Sequence, residues 1–197
     1  MKSSKVSILD QYFASSEPRF DLFFSTNKGV FVGSPISPVH QALVQLMDSS
    51  SPLIQKNDTF LDAGSGDGRI VAIAAMLQLK AFGIEYNELT YNASLYNIDK
   101  LSQLGLFDQK PTIALGDFLE TSPYDSLAVP FDSFDVIYSF ETSTHTLAQK
   151  IIRESKKNTV FLYLSVNRQP SIVEGLLKLQ TIVFSDNFRF LHVFKKE

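Results

Sequence analysis

A chain of 197 residues is long enough for one domain with a sizeable core, and its apolar and charged fractions are ordinary for a soluble globular protein. A formal charge of -3, with no block of Lys or Arg, disfavours wholesale electrostatic binding of nucleic acid without excluding a local basic patch. The lack of cysteine rules out disulfides, thiolate catalysis and Cys-ligated metals, and neither a signal core nor a run near the ~20 apolar residues of a membrane span is present, so the expectation is a cytoplasmic protein without a membrane partner.

Residues 1–30 carry the weakest pattern. Lys5 to Phe13 reads as a short helix, and Phe20 to Phe24 is an aromatic cluster. The loop Gly33-Ser34-Pro35-Ile36-Ser37-Pro38 follows. It predicts a helix over 38–48, with Ser37 as N-cap, Pro38 in the first helical position, and Val39, Leu43 and Leu46 at helical spacing.

From Thr59 the pattern alternates. Strands are predicted at 60–63, 81–86, 111–118, 134–140, 159–166, 181–185 and 188–194. Helices are predicted at about 69–78, 89–104, 144–155 and 171–178, and Gly105 stops the second of these. Alternation of this kind implies an α/β three-layer sandwich, with helices on both faces of a mostly parallel seven-stranded sheet. The last two strands flank Ser185-Asp186-Asn187, so a C-terminal hairpin adds one antiparallel strand. The expected organisation is a single domain over 1–197, with a capping N-terminal segment at 1–50 and the core at 51–197.

The stretch Phe60-Leu61-Asp62-Ala63-Gly64-Ser65-Gly66-Asp67-Gly68-Arg69 holds the most chemistry. An apolar strand ends in an acid, a loop with alternating glycines follows, and a helix begins. Glycines allow close backbone approach to a ligand, and the helix start turns N–H groups toward it, as a nucleotide-like cofactor requires. The spacing is neither Gly-x-Gly-x-x-Gly nor a phosphate loop ending in Gly-Lys-Ser/Thr. Asp62 also reads as a loop acid capping the next helix, and Asp67 and Arg69 read as solvated or locally paired. Glu85 ends the following strand, 23 positions on, where a carboxylate can accept hydrogen bonds from both hydroxyls of a ribose. Tyr86 or Asn87 would flank the same ligand. Asp117 ends the third strand in Gly116-Asp117-Phe118.

This run resembles motif I of the S-adenosylmethionine (SAM) dependent methyltransferases, Asp/Glu-x-Gly-x-Gly-x-Gly, and the resemblance extends over roughly residues 31–197. It implies a Rossmann-like methyltransferase core with SAM as cofactor. Asp62 would attract the ammonium of the methionine part, beside Gly64, Ser65, Gly66 and Gly68. Asp117 would accept from the adenine amino group, with Phe118 packed on the ring. The closest pattern is that of the seven-stranded, non-SET protein-lysine methyltransferases. There an aromatic-x-Pro-Thr-Pro segment precedes the first helix; here Phe31 and Pro35 match, and Gly33 and Ser34 replace Pro and Thr. After strand four, Tyr138 and Glu141 match an aromatic-Leu-Leu-Pro-Glu-like stretch that lacks its Leu-Pro part.

By this resemblance Phe31 and Ser34 join the cofactor site, and Phe31 and Tyr138 line a narrow entrance. Tyr138, Ser139 and Glu141 position or receive a lysine amine of a protein substrate. The Asn/Asp-Pro-Pro-Tyr/Phe motif of nucleobase and glutamine methylation is absent. A small-molecule or nucleic-acid methyltransferase and a non-catalytic SAM-binding adaptor remain as alternatives. His40, His145 and His192 offer no metal spacing, and His145 stands as a solvated helix-end residue or a base.

Overall fold

The computed structural model describes residues 4–16, 24–26, 29–141, 144–169 and 174–197. In chain order the elements are α1 (Lys5–Ser16), β1 (Phe24–Thr26), β2 (Gly29–Phe31), α2 (Ile36–Met47), β3 (Thr59–Ala63), α3 (Arg69–Met76), β4 (Lys80–Glu85) and α4 (Glu88–Gln103). Then come β5 (Thr112–Leu115), α5 (Ser122–Leu127), β6 (Val136–Phe140), α6 (Thr144–Glu154), β7 (Val160–Ser165), β8 (Leu176–Val183) and β9 (Phe190–Lys196).

Seven strands form one sheet in the order β5-β4-β3-β6-β7-β9-β8. The first five run parallel, and β9 lies antiparallel to both β7 and β8. This is the predicted mixed sheet with its C-terminal hairpin. A separate two-stranded antiparallel ribbon joins β1 and β2.

Side chains alternate across each strand, so one strand feeds two cores. Phe60, Val136, Tyr138, Leu162 and Leu164 face one core, which also takes Leu9 and Phe13 of α1 and the buried faces of α2 and α3. Leu61, Ile137 and Phe161 face the other, with Leu147 and Ile151 of α6 and Tyr124 of α5. Helix α3 is buried from Arg69 through Ala75, which its small and apolar residues permit. No helix among the described residues is long and apolar enough to cross a membrane.

Two predicted elements move. Helix α2 begins at Ile36, two residues early, with extended Pro35 at the N-cap and no side-chain cap bond. Ser37 is not the cap, because its hydroxyl donates to Asp10 of α1 instead. The predicted helix over 171–178 is replaced at its end by β8. Gly175 turns the chain at φ +96, and from Leu176 the backbone pairs with β9 through Val183. Cross-strand pairing there outweighs the local apolar spacing. Residues 171–173 lie outside the described residues.

Candidate functional site

The carboxyl ends of β5, β4, β3 and β6 stand side by side, and each carries an acid in or just beyond its strand: Asp117, Glu85, Asp62 and Glu141. The glycine loop lies between β3 and α3. Its Gly64 and Ser65 amides both donate to the Ile84 carbonyl at 3.0 Å, which ties the loop to β4. Gly66 and Gly68 sit at φ 52 and φ 83, left-handed geometry that glycine adopts without strain. A Cβ on Gly68 would also lie 3.2 Å from Ser94 Cβ. Beneath the loop, a Cβ on Gly83 would meet Ser65 at 2.8 Å, so β4 is kept bare where the loop rests.

Glu85 is buried and clamps this loop. One carboxylate oxygen accepts from the Gly66 amide at 2.7 Å; the other accepts from the Asn87 amide at 2.8 Å and the Thr90 hydroxyl at 3.1 Å. Asn87 caps α4 by accepting from the Leu89 and Thr90 amides. Tyr86 beside it is 41% exposed. Asp117 accepts from the Leu119 amide at 3.0 Å. Phe118 is buried near Gly64, and its carbonyl accepts from the Tyr124 hydroxyl at 2.6 Å.

Asp62 differs from the other three acids. It is 2% exposed and no hydrogen bond reaches its carboxylate among the described residues. Burial, with added repulsion from Glu85 and Asp67, pushes its pKa well above the usual carboxylate range. A buried acid without a donor is costly, and a ligand cation beside it would relieve that cost. The strip therefore offers a ligand cation a place near β3, with further carboxylates near β4 and β5. Ser65 adds a buried hydroxyl without a hydrogen-bond partner among the described residues.

The residues at the end of β6 diverge. Tyr138 is fully enclosed: its hydroxyl shares a 2.9 Å hydrogen bond with Ser34, and its ring stacks on Phe60 with centroids 6.5 Å apart. Burial pushes its phenol far above the usual range. It lines no open entrance, because a large side chain on this buried strand face has only core to enter. Ser139 points the other way and donates to the Ala63 carbonyl at 3.2 Å. Glu141 alone of the three is exposed. At φ 46 it turns out of the strand, and its Oε1 accepts from the Ser165 hydroxyl and the Val166 amide, both at 2.8 Å. Phe31 ends β2, and its side chain lies outside the described residues.

Asp67 and Arg69 are paired, and the pair is buried, with 2.7 Å between Arg69 Nη2 and Asp67 Oδ2. His192 is buried with both ring nitrogens engaged, one by Thr181 and one by the Asn167 carbonyl, and burial lowers its pKa. His145 is exposed on α6, and His40 is half-buried with a lowered pKa from burial. Among the described residues no three His, Asp or Glu side chains cluster to hold a metal.

No protein-family model and no curated protein matches this chain. Solved structures do resemble it. An RNA methyltransferase from Salinibacter ruber, in complex with S-adenosyl-L-homocysteine, is 18% identical over 84% of this chain and 94% of its own, with a TM-score of 0.59. A mutant of MtNAS in complex with S-adenosylmethionine is 13% identical over 98% of this chain and 70% of its own, at 0.62. The precorrin-6y C5,15-methyltransferase from Geobacter metallireducens is 13% identical over 90% of this chain and 96% of its own, at 0.55. At these identities the likeness establishes the fold: the seven-stranded, Rossmann-like sheet seen in SAM-dependent methyltransferases.

Proposed function

We propose that the chain binds SAM across the ends of β3, β4 and β5 and transfers its methyl group to an amine, with a protein lysine as acceptor. The observation that carries the cofactor reading is the row of Asp62, the glycine loop, Glu85 and Asp117 at adjoining strand ends. Asp62 holds the ammonium, Glu85 the ribose, and Asp117 with Phe118 the adenine. Gly64, Ser65, Gly66 and Gly68 shape the backbone cradle, with Tyr86 at its exposed rim. The Salinibacter and MtNAS structures hold S-adenosyl-L-homocysteine and S-adenosylmethionine, which supports a SAM-type ligand here.

Bound SAM supplies an already activated methyl group, so the chain's own work is to align the acceptor and exclude water. Glu141 is the acid placed to receive the acceptor. Among the described residues its side chain takes two hydrogen bonds, both on Oε1, which orient the carboxylate at the mouth of β6. An exposed carboxylate attracts a lysine ammonium, and loss of that proton to solvent gives the neutral amine that can attack. Tyr138, enclosed and bonded to Ser34, acts by holding the segment ahead of α2, and Ser139 by joining β6 to β3. A nucleic-acid acceptor is the second reading, favoured by the RNA methyltransferase among the structural neighbours.

Incubation of the protein with methyl-labelled SAM and cell extract tests the assignment. Protease-sensitive label, located on lysine by mass spectrometry, is the expected result. Label lost only to nuclease would replace lysine by nucleic acid, and label confined to small metabolites would remove both. Tight SAM binding with no transfer to any fraction would favour the non-catalytic alternative.

A further inference from the structure

Two side-chain links fasten the N-terminal helix α1 to the glycine loop, and Arg69 makes the first. Arg69, the first residue of α3, is 8% exposed. Its Nε lies 3.0 and 3.1 Å from the two oxygens of Asp67, and Nη2 lies 2.7 Å from Oδ2, so the fork is held bidentate. The same guanidinium stands 5.0 Å over the Phe13 ring of α1 and donates to the Ser34 carbonyl at 3.4 Å. A Cβ on Gly33 would meet it at 2.5 Å, so the glycine leaves the space that the guanidinium occupies. A second strap runs in parallel: Tyr12 of α1 donates to Asn97 at 3.0 Å, and Asn97 donates to the Asp67 carbonyl at 3.0 Å.

These contacts meet beside the methionine end of the strip. Ser34 bonds Tyr138, which is paired in register with Asp62. The geometry points to Arg69 as a positioning residue: it locks α1 and the 33–34 segment against the glycine loop, and so holds the wall around the ammonium-binding end of the cofactor site. Charge alone does not suffice for this role. A lysine keeps the charge and loses both the planar fork to Asp67 and the flat contact with Phe13. The N-terminal segment is thereby part of the cofactor site rather than an appendage to it. This inference rests on the SAM reading above for its functional consequence, and on the packing alone for the latch.

Two measurements on the full chain test it, with Arg69→Lys as the variant. Amide hydrogen exchange should show residues 5–16 and 32–35 opening roughly tenfold faster, while amides of β3 to β7 keep their protection. Calorimetry should show roughly tenfold weaker binding of S-adenosylhomocysteine, with adenosine, which lacks the methionine end, bound as in wild type. A general loss of structure would weaken both ligands alike. Phe13→Leu, which removes the ring beneath the guanidinium and leaves the Asp67 fork intact, should reproduce the same pattern in milder form should Arg69→Lys disturb the sheet. Unchanged exchange over 5–16 in both variants overturns the latch. Loosened α1 with undiminished binding of S-adenosylhomocysteine overturns the positioning role. Failure of the wild type to bind either ligand refutes the SAM reading instead, and the exchange data still judge the latch.

Discussion

Asp62→Asn is expected to stabilise the ligand-free protein while it disables cofactor binding. The carboxylate is enclosed, unbonded among the described residues and repelled by Glu85 and Asp67. An amide of the same shape removes that repulsion, and a gain on the order of 1–2 kcal/mol follows. For a chain of this size each kcal/mol raises Tm by about 2–4 °C. The ammonium of SAM would lose its charged partner, and affinity should fall roughly 10- to 100-fold.

The pH dependence carries a sign. The folded pKa of Asp62 is raised, so over the window from about 3.9 up to that folded value the native state holds a proton that the unfolded chain has released. Stability from this group is full below the window and is lost as pH rises through the folded pKa. Ligand binding runs oppositely, because the ammonium favours the carboxylate: affinity rises with pH across the window, and a proton is released. Both slopes should flatten in Asp62→Asn. Thermal melts and calorimetry at several pH values check this. A variant less stable than wild type that binds SAM normally would assign Asp62 a purely structural role.

Glu85→Ala should produce the largest combined loss. The carboxylate accepts from the Gly66 and Asn87 amides and the Thr90 hydroxyl, so truncation removes a loop clamp as well as a ribose acceptor. The hydrogen bonds add a stability cost of about 1–3 kcal/mol, because the buried Gly66 amide is left without its acceptor. Cofactor affinity should drop roughly 10- to 100-fold. Chemical denaturation and calorimetry measure the two effects separately. Normal affinity in a destabilised Glu85→Ala would displace the ribose from this position.

The sheet and its line of acids were legible because their signals are local. Apolar runs ending in Asp62, Glu85 and Asp117 recur at strand–helix spacing, and the alternate glycines mark one loop. What stayed hidden depends on distant partners. Tyr12 meets Asn97 and Phe13 meets Arg69, and nothing near residues 5–16 signals that those rings reach the glycine loop. The start of α2 shifts because Asp10, on another helix, engages Ser37. Tyr138 read as an entrance residue by its position after strand four. The pleat turns it into the core, where Phe60 and Ser34 await it. The C-terminal segment looked helical until β9 supplied a pairing edge for Leu176 to Val183.

Calorimetric titration of the wild-type protein with SAM and S-adenosylhomocysteine tests the central claim most directly. Saturable one-to-one binding of both ligands, weakened in Asp62→Asn and Glu85→Ala, is the predicted result. No heat of binding from either ligand at millimolar concentration, with the chain folded, would contradict it.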